Sequence, residues 1–134
     1  MINWFEKNPS ISWIITVLIA VTIFFLSSLT FKGPPGGKSY FSIIYHFFIF
    51  FYFAFFLLIS LIKGNLKNKN ILIFGIFLAF LYGVMDEIHQ YFVPGRASAI
   101  SDILTNSAGI LFAGALYSLR CTENCKTSKD RIIF

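Results

Sequence analysis

Four long apolar runs, almost free of charged residues, occupy most of this 134-residue chain. A membrane-crossing helix needs about 20 mostly apolar residues, and each run reaches or approaches that length. The runs predict membrane-spanning helices at approximately residues 11–29, 40–62, 71–90 and 101–119. In lipid the backbone has no water to bond, and helices are the structures that satisfy it at these lengths. The chain is therefore predicted to be an all-α integral membrane protein.

The composition excludes a water-soluble globule. Hydrophobic residues make up 57% of the chain and charged residues 13%, whereas soluble domains have about 45–50% and about 25%. Four spans in so short a chain leave only short connections, which force an up-and-down four-helix bundle. We expect a single transmembrane domain over residues 1–134, ending in a short tail at 120–134.

The basic residues predict how the bundle is oriented. Eight of the 11 lysines and arginines lie at the N-terminus, in the second connection and at the C-terminus. Both termini are therefore predicted to be cytoplasmic, in a multi-pass protein of the cell membrane. The net charge of +5 follows from this excess of basic residues at the inner face, where anionic lipids attract them. We expect membrane lipids as partners and no nucleic acid, and the sequence leaves the oligomeric state open.

The polar residues at membrane depth are the candidate functional residues. Ionisable side chains in the bilayer are costly unless they are paired or face water, so they mark functional sites by default. In the predicted orientation all four spans place such groups at their outer ends. These groups are Ser27, Ser28, His46, Asp86, Glu87, His89, Gln90, Arg96, Asp102 and Asn106.

Helical spacing groups some of these residues further. Side chains three positions apart stack along a helix, which predicts the pairs Glu87–Gln90 and Asp86–His89. In the last span, residues at steps of four, three and four share one face that also carries two small residues. Small residues let a neighbouring helix approach closely, so this face is predicted to point into the bundle: Asp102, Asn106, Gly109 and Ala113.

The segment from Asp86 to Arg96, with the residues that follow it, resembles the VanZ-like family of small membrane proteins. The family pattern is Glu-x-x-Gln-x-Phe, then an Arg, then Asp-x-x-x-Asn-x-x-Gly. The serines Ser27 and Ser28 and the histidine His46 resemble the family's upstream features. The pattern is matched here by Glu87, Gln90, Phe92, Arg96, Asp102, Asn106 and Gly109.

The resemblance implies a fold and a site more strongly than an activity. The family takes its name from a protein associated with resistance to the glycopeptide teicoplanin, and its members generally lack an assigned biochemical activity. The resemblance therefore implies a four-span membrane protein with a link to antibiotic resistance, while a shared fold alone does not define a reaction.

Three functions are consistent with these residues. In the first, the outer site binds or modulates a lipid-linked or anionic cell-envelope component. Arg96 would hold an anionic group, and the other members of the binding set would orient it or contact the ligand. That set comprises Asp86, Gln90, Arg96, Asp102, Asn106, Ser27 and Ser28.

In the second, the protein is an intramembrane enzyme that acts on a lipid-linked substrate. Glu87 would be the general acid or base, with His46 or His89 as its proton partner. A divalent metal held by Glu87, His89, His46 and Asp102 is disfavoured, because no close His-x-x-x-His pair fixes a metal geometry. We expect no metal and no cofactor. In the third, the chain is a structural subunit of a membrane complex.

Overall fold

The computed structural model describes residues 2–30, 40–64, 69–96 and 99–130, with residues 123–130 described by their backbone only. The predicted connections around 31–39, 65–68 and 97–98, and the end of the predicted tail at 131–134, lie outside the described residues. The described part is all-helical. Its five helices are α1 (Ile2–Lys7), α2 (Pro9–Ser28), α3 (Tyr40–Ile62), α4 (Lys69–Phe92) and α5 (Ile100–Asp130).

Four of these helices are long and apolar enough to cross a membrane. The candidate spans are Pro9–Ser28, Tyr40–Ile62, Lys69–Phe92 and Ile100–Thr122. The prediction of a four-helix membrane bundle is confirmed. α5 continues without a break through residue 120, where the sequence predicts that a tail begins, and on to Asp130.

The short helix α1 precedes the first span. Asn8 separates it from α2, with φ −118° and ψ 68°, because the residue before a proline is driven out of the helical region. Pro9 then opens α2, a position where its missing N–H costs nothing. The Ser12 hydroxyl donates a hydrogen bond to the Phe5 carbonyl at 2.9 Å, and the Phe5 ring packs edge-on against Phe56 of α3 at 5.3 Å. α1 is thereby held on the bundle.

The helix α3 is the centre of the bundle and contacts each of the other four helices in the described part of the chain. Its largest interface is with α5. A Cβ built at Gly109 of α5 would overlap the carbonyl oxygen of Phe47, so the two backbones are in direct contact there. Ala113, one turn later, is fully buried. The predicted small-residue face of α5 thus packs against α3.

The interior and the exterior of the bundle divide as expected for a protein in lipid. Its apolar core contains Ile23, Phe50, Phe53, Ala54, Leu57, Ala79, Ile110 and Ala113. The outward faces of α2 to α5 carry large apolar side chains, such as Leu18 and Ile73, that are more than half exposed. Because polar groups are buried and apolar groups cover the outside, the described helices form a multi-pass membrane protein.

A tight turn joins α4 to the segment before α5. The Val93 N–H donates to the Gln90 carbonyl, and the Arg96 N–H donates to the Val93 carbonyl, each at 3.1 Å. Gly95 has φ +82°, a left-handed conformation that glycine adopts without strain. This turn places Arg96 next to the end of α2.

Candidate functional site

Buried polar side chains from all four spans gather at one end of the bundle. This end is formed by the last two turns of α2 and α4 and the first two turns of α3 and α5, and we call it the Glu87 end. Its buried polar side chains are at most 6% exposed, and they are Ser27, His46, Asp86, Glu87, Gln90, Asp102 and Asn106. Helix packing therefore brings seven of the ten candidate residues into the interior.

Asn106 connects His46 to Glu87. Its amide nitrogen donates to Glu87 Oε1 at 3.5 Å, and its amide oxygen lies 3.0 Å from His46 Nδ1. Since a carboxylate only accepts hydrogen bonds, the amide NH₂ faces Glu87 and the amide oxygen receives the Nδ1 proton of His46. His46 Nδ1 is also 3.9 Å from Glu87 Oε1. The network assigns a neutral His46 the tautomer whose Nε2 carries a lone pair.

Asp86 has its own partners on α2 and α4. Gln90 donates to Asp86 Oδ2 at 2.8 Å, and the Ser27 hydroxyl is within hydrogen-bonding reach of the same carboxylate. The sequence pairs Gln90 with Glu87 at a spacing of three, whereas the hydrogen bond of Gln90 goes to Asp86, at a spacing of four. A spacing of four leaves two side chains about 40° apart around a helix, and a spacing of three leaves them about 60° apart, so Gln90 lies closer to Asp86.

His89 lies apart from Glu87. Its Nε2 is 3.0 Å from the Ser28 hydroxyl, and its ring stacks on Phe24 at 4.6 Å. Two positions along a helix correspond to a rotation of about 200°, so the two side chains leave α4 in nearly opposite directions. His89 and Ser28 thus form a half-exposed contact with α2, and of the two predicted proton partners only His46 is next to Glu87.

Arg96 holds the end of α2. Its Nε donates to the Ser27 carbonyl at 3.3 Å, and one terminal nitrogen donates to the Leu26 carbonyl at 3.1 Å. The last carbonyls of a helix have no partner within the helix and carry partial negative charge. A guanidinium in this position caps α2.

Asp102 lies in the first turn of α5, as the sequence predicts, and is 3% exposed. Its backbone N–H donates to the Ala99 carbonyl at 2.8 Å. An acidic side chain is favoured there by the positive end of the helix dipole. The structure buries Asp102 at the same end as Asn106, one turn before it.

A cavity of about 370 Å³ lies between the end of α4 and the start of α5. Its lining residues are mostly apolar, and Glu87 is the one carboxylic acid among them. Several lining residues are more than 70% exposed on the bundle exterior, so the cavity is a groove that opens sideways. It is lined by Val84, Glu87, Ile88, Tyr91, Phe92, Ala99, Ile100 and Ile103.

Two tyrosines that the sequence reasoning missed belong to the same end. Tyr45 Oη is buried and, within the described part of the chain, has no hydrogen-bond partner, although it lies close enough to interact electrostatically with Asp86 and Arg96. Tyr82 donates to the Ala20 carbonyl at 2.7 Å and crosses between α4 and α2. The available signal was the presence of hydroxyl groups at membrane depth in helices that are otherwise rich in phenylalanine.

A comparison with known protein families finds a match over most of the chain. The family model described as VanZ/LLP1 matches residues 6–121, a range that includes every residue of the Glu87 end. No curated protein and no solved structure matches the chain.

Proposed function

The chain belongs to the VanZ/LLP1 family, and we propose that it binds an amphipathic, lipid-linked component of the cell envelope in the groove between α4 and α5. The observation that carries this proposal is the double position of Glu87. Glu87 is one of the residues that line the apolar groove, and its carboxylate accepts a hydrogen bond in the buried network with Asn106 and His46. One carboxylate therefore connects a lipid-facing surface to the polar interior.

The groove suits a ligand with an apolar chain and a polar group that can donate hydrogen bonds. Ile100, Tyr91 and Phe92 are 72–78% exposed at its edges, so an apolar chain can enter from the side of the bundle. Glu87 is buried at the end of such a path. A hydroxyl, amide or amine on the ligand could add a hydrogen bond to its carboxylate. Ligand sites commonly combine apolar walls with a few oriented polar groups in this way.

An anionic group on the ligand would be held by Arg96. The guanidinium already donates to Leu26 and Ser27 carbonyls, so an anion would compete with the end of α2 for it. Contact between such a ligand and Arg96 is therefore expected to loosen the end of α2.

A second function is favoured by the environment of Glu87. A buried carboxylate that lines a groove and has an imidazole nitrogen 3.9 Å away is suited to general acid–base chemistry, since such catalysis needs a positioned acid or base beside the site of the reacting group. In this version the bound lipid-linked molecule is a substrate, Glu87 is the acid or base, and His46 stabilises its charge.

The orientation and the cellular setting are part of the proposal. Both termini would lie in the cytoplasm, which puts the Glu87 end at the outer face of the cell membrane. Lipid-linked envelope components are used at that face, and a change in their availability would alter glycopeptide resistance. Labelling of a Pro94→Cys variant by a membrane-impermeant maleimide tests the orientation, and labelling from the cytoplasmic side alone would reverse it.

The groove is tested by filling it. Ile103→Trp places a large ring among the lining residues, while Leu104→Trp places the same ring on the neighbouring, 65% exposed position. We expect Ile103→Trp to lose lipid-linked molecules that copurify with the wild type in native mass spectrometry, and Leu104→Trp to retain them. Equal retention by both variants would remove the groove from the proposal.

Glu87→Gln separates binding from catalysis. As an enzyme, the protein would lose its reaction in this variant, and an unprocessed lipid-linked precursor would accumulate in cell-envelope extracts. As a binding protein, it would show weaker copurification without any new precursor. Normal envelope lipids, normal copurification and normal teicoplanin susceptibility in Glu87→Gln would contradict both versions.

A further inference from the structure

Three buried side chains at the Glu87 end form a compact set of metal-ligating groups. His46 on α3 and the adjacent Asp86 and Glu87 on α4 each offer one ligand atom, and these atoms all lie within 4.8 Å of one another. Ligand atoms around one tetrahedral ion are about 3.4 Å from one another, with each about 2.1 Å from the ion. A movement of about 1 Å by each side chain toward the centre of the set would therefore bring all three atoms into coordination range.

We propose that His46, Asp86 and Glu87 bind a divalent transition-metal ion, with Zn²⁺ as the best fit. The sequence did not predict this set. It grouped Glu87 and His46 with His89 and Asp102, and it favoured no metal at all. In the structure His89 turns toward α2, and Asp86 takes its place next to His46.

The groups around the three side chains orient them as metal ligands are oriented. A metal-ligating histidine almost always donates its other ring N–H to an oxygen acceptor. His46 Nδ1 lies 3.0 Å from the Asn106 amide oxygen and 3.9 Å from Glu87 Oε1, so binding the ion through Nε2 while Nδ1 keeps its bond to Asn106 would require the ring to shift. Ligating carboxylates are hydrogen-bonded in turn, and Asp86 and Glu87 receive bonds from Gln90 and Asn106.

The negative charge of the two carboxylates in the cluster favours the binding of a cation. Two carboxylates, each at most 6% exposed, lie side by side in a membrane-embedded interior. Arg96 interacts with Asp86 from the direction of α2, but it also donates to two carbonyls there. A divalent ion would balance both carboxylates at once, as buried charges require.

Tyr45 gives an independent indication of a missing partner. Its hydroxyl is buried within electrostatic range of Asp86 and, in the described part of the chain, has no hydrogen-bond partner. A buried hydroxyl in this state is rare in native proteins and often marks a water or an ion at the site. A water bound to the metal would give this hydroxyl an acceptor or a donor.

The ligand types select the class of ion. Imidazole nitrogen suits zinc, iron, copper and nickel, whereas magnesium and calcium prefer sites made entirely of oxygen. Three protein ligands are the number found in catalytic zinc sites, which keep a fourth position open. Because Glu87 also lines the groove, that fourth position would lie near the groove. The metal site stands on the side-chain cluster alone and does not depend on the proposed lipid ligand.

The test is a Zn²⁺ titration of the full chain in lipid nanodiscs after treatment with a chelator. We expect one Zn²⁺ per wild-type chain, with no comparable binding of Mg²⁺. His46→Gln and Asp86→Asn should weaken binding by more than about 100-fold, and Asn106→Ala by about 10- to 100-fold. His89→Gln is the matched histidine control and Glu6→Gln is the carboxylate control, and both should bind as the wild type does.

Two results would overturn the proposal. One is less than one Zn²⁺ per wild-type chain, a measurement that needs no variant to fold. The other is a loss of affinity in His89→Gln or Glu6→Gln equal to that in His46→Gln. Visible absorption of the Co²⁺-loaded wild type, absent from Asp86→Asn, is a second readout that reports on the ligands directly. A negative titration leaves the Ile103→Trp test of the groove unaffected.

Discussion

The two ends of the bundle use buried polar groups in different ways. The opposite end, which we call the Tyr117 end, has Tyr117 accepting a hydrogen bond from the Gly64 N–H at 3.0 Å and donating one to Glu6 at 3.2 Å. Arg120 lies 3.9 Å from the same Glu6 carboxylate and also donates to Asn3. These bonds join α1 and the residues just after α3 to α5.

The difference lies in where the polar groups sit along their helices. At the Tyr117 end the partners are helix termini: Gly64 follows the end of α3, and Glu6 is in the last turn of α1. At the Glu87 end, His46, Asp86 and Asn106 sit one or more turns inside their helices, where the backbone is already satisfied. The first set therefore ties the ends of α1 and α3 to α5, whereas these three side chains of the second set bond one another and their neighbours inside the bundle. Buried polar groups that are not needed to join helix ends are the ones to test for function.

The largest expected effect comes from breaking the backbone contact between α3 and α5 at Gly109. Gly109→Ala places a methyl group against the Phe47 carbonyl, and neither backbone can move without separating α3 from α5. We expect a loss of about 3 kcal/mol in the free energy of unfolding, measured by SDS titration of the detergent-solubilised protein. Ala108→Leu, on the adjacent exposed position, is the control and should unfold as the wild type does.

Tyr117→Phe should lower the stability of the protein without changing binding at the Glu87 end. It removes both hydrogen bonds of the hydroxyl and leaves the Gly64 N–H without its acceptor, at an expected cost of about 1–3 kcal/mol in the same SDS titration. Zn²⁺ affinity and lipid copurification should stay at wild-type values, because Tyr117 contacts no residue of the Glu87 end in the described structure. A change in either would mean that the two ends are coupled.

The smallest effect is expected at the exposed edge of the Glu87 end. Ser28→Ala removes the contact with His89 at 3.0 Å, which is worth about 0.5 kcal/mol. Thr22→Ala is the matched control, because Thr22 bonds only its own helix, to the Leu18 carbonyl. The difference between the two unfolding free energies isolates the bond between α2 and α4. A difference above about 2 kcal/mol would assign His89 a larger structural role than an exposed hydrogen bond has.

The spans were predictable because hydropathy alone determines them. Tyr40–Ile62 coincides with the predicted second span. α1 was not predicted, since a six-residue helix is marginal by itself and depends here on Phe5 packing against Phe56. The continuation of α5 to Asp130 lies beyond the apolar run, where hydropathy carries no information about helix length.

The composition of the Glu87 end was also predictable, but its pairings were not. Helical period and chain reversal put His46, Glu87 and Asn106 at one level. Which of them touch depends on the rotation of each helix about its axis, and that rotation is set by packing such as the Gly109–Phe47 contact. The predicted Glu87–Gln90 pair shows the consequence, because the choice between Asp86 and Glu87 as the partner of Gln90 rests on a difference of about 20° around the helix.

Because the groove opens sideways, the concentration that would govern its occupancy is that of the ligand within the membrane. A molecule that reaches Glu87 between Tyr91 and Ile100 arrives by diffusion within the plane of the bilayer. Its occupancy is then set by its mole fraction among the lipids of one leaflet, and not by its concentration in water. A contact of modest strength is sufficient when the ligand is a common lipid, whereas a scarce one must be selected against every neighbouring acyl chain. In the proposed function, the carboxylate of Glu87 would accept a hydrogen bond that ordinary acyl chains cannot donate, and it would supply that selection.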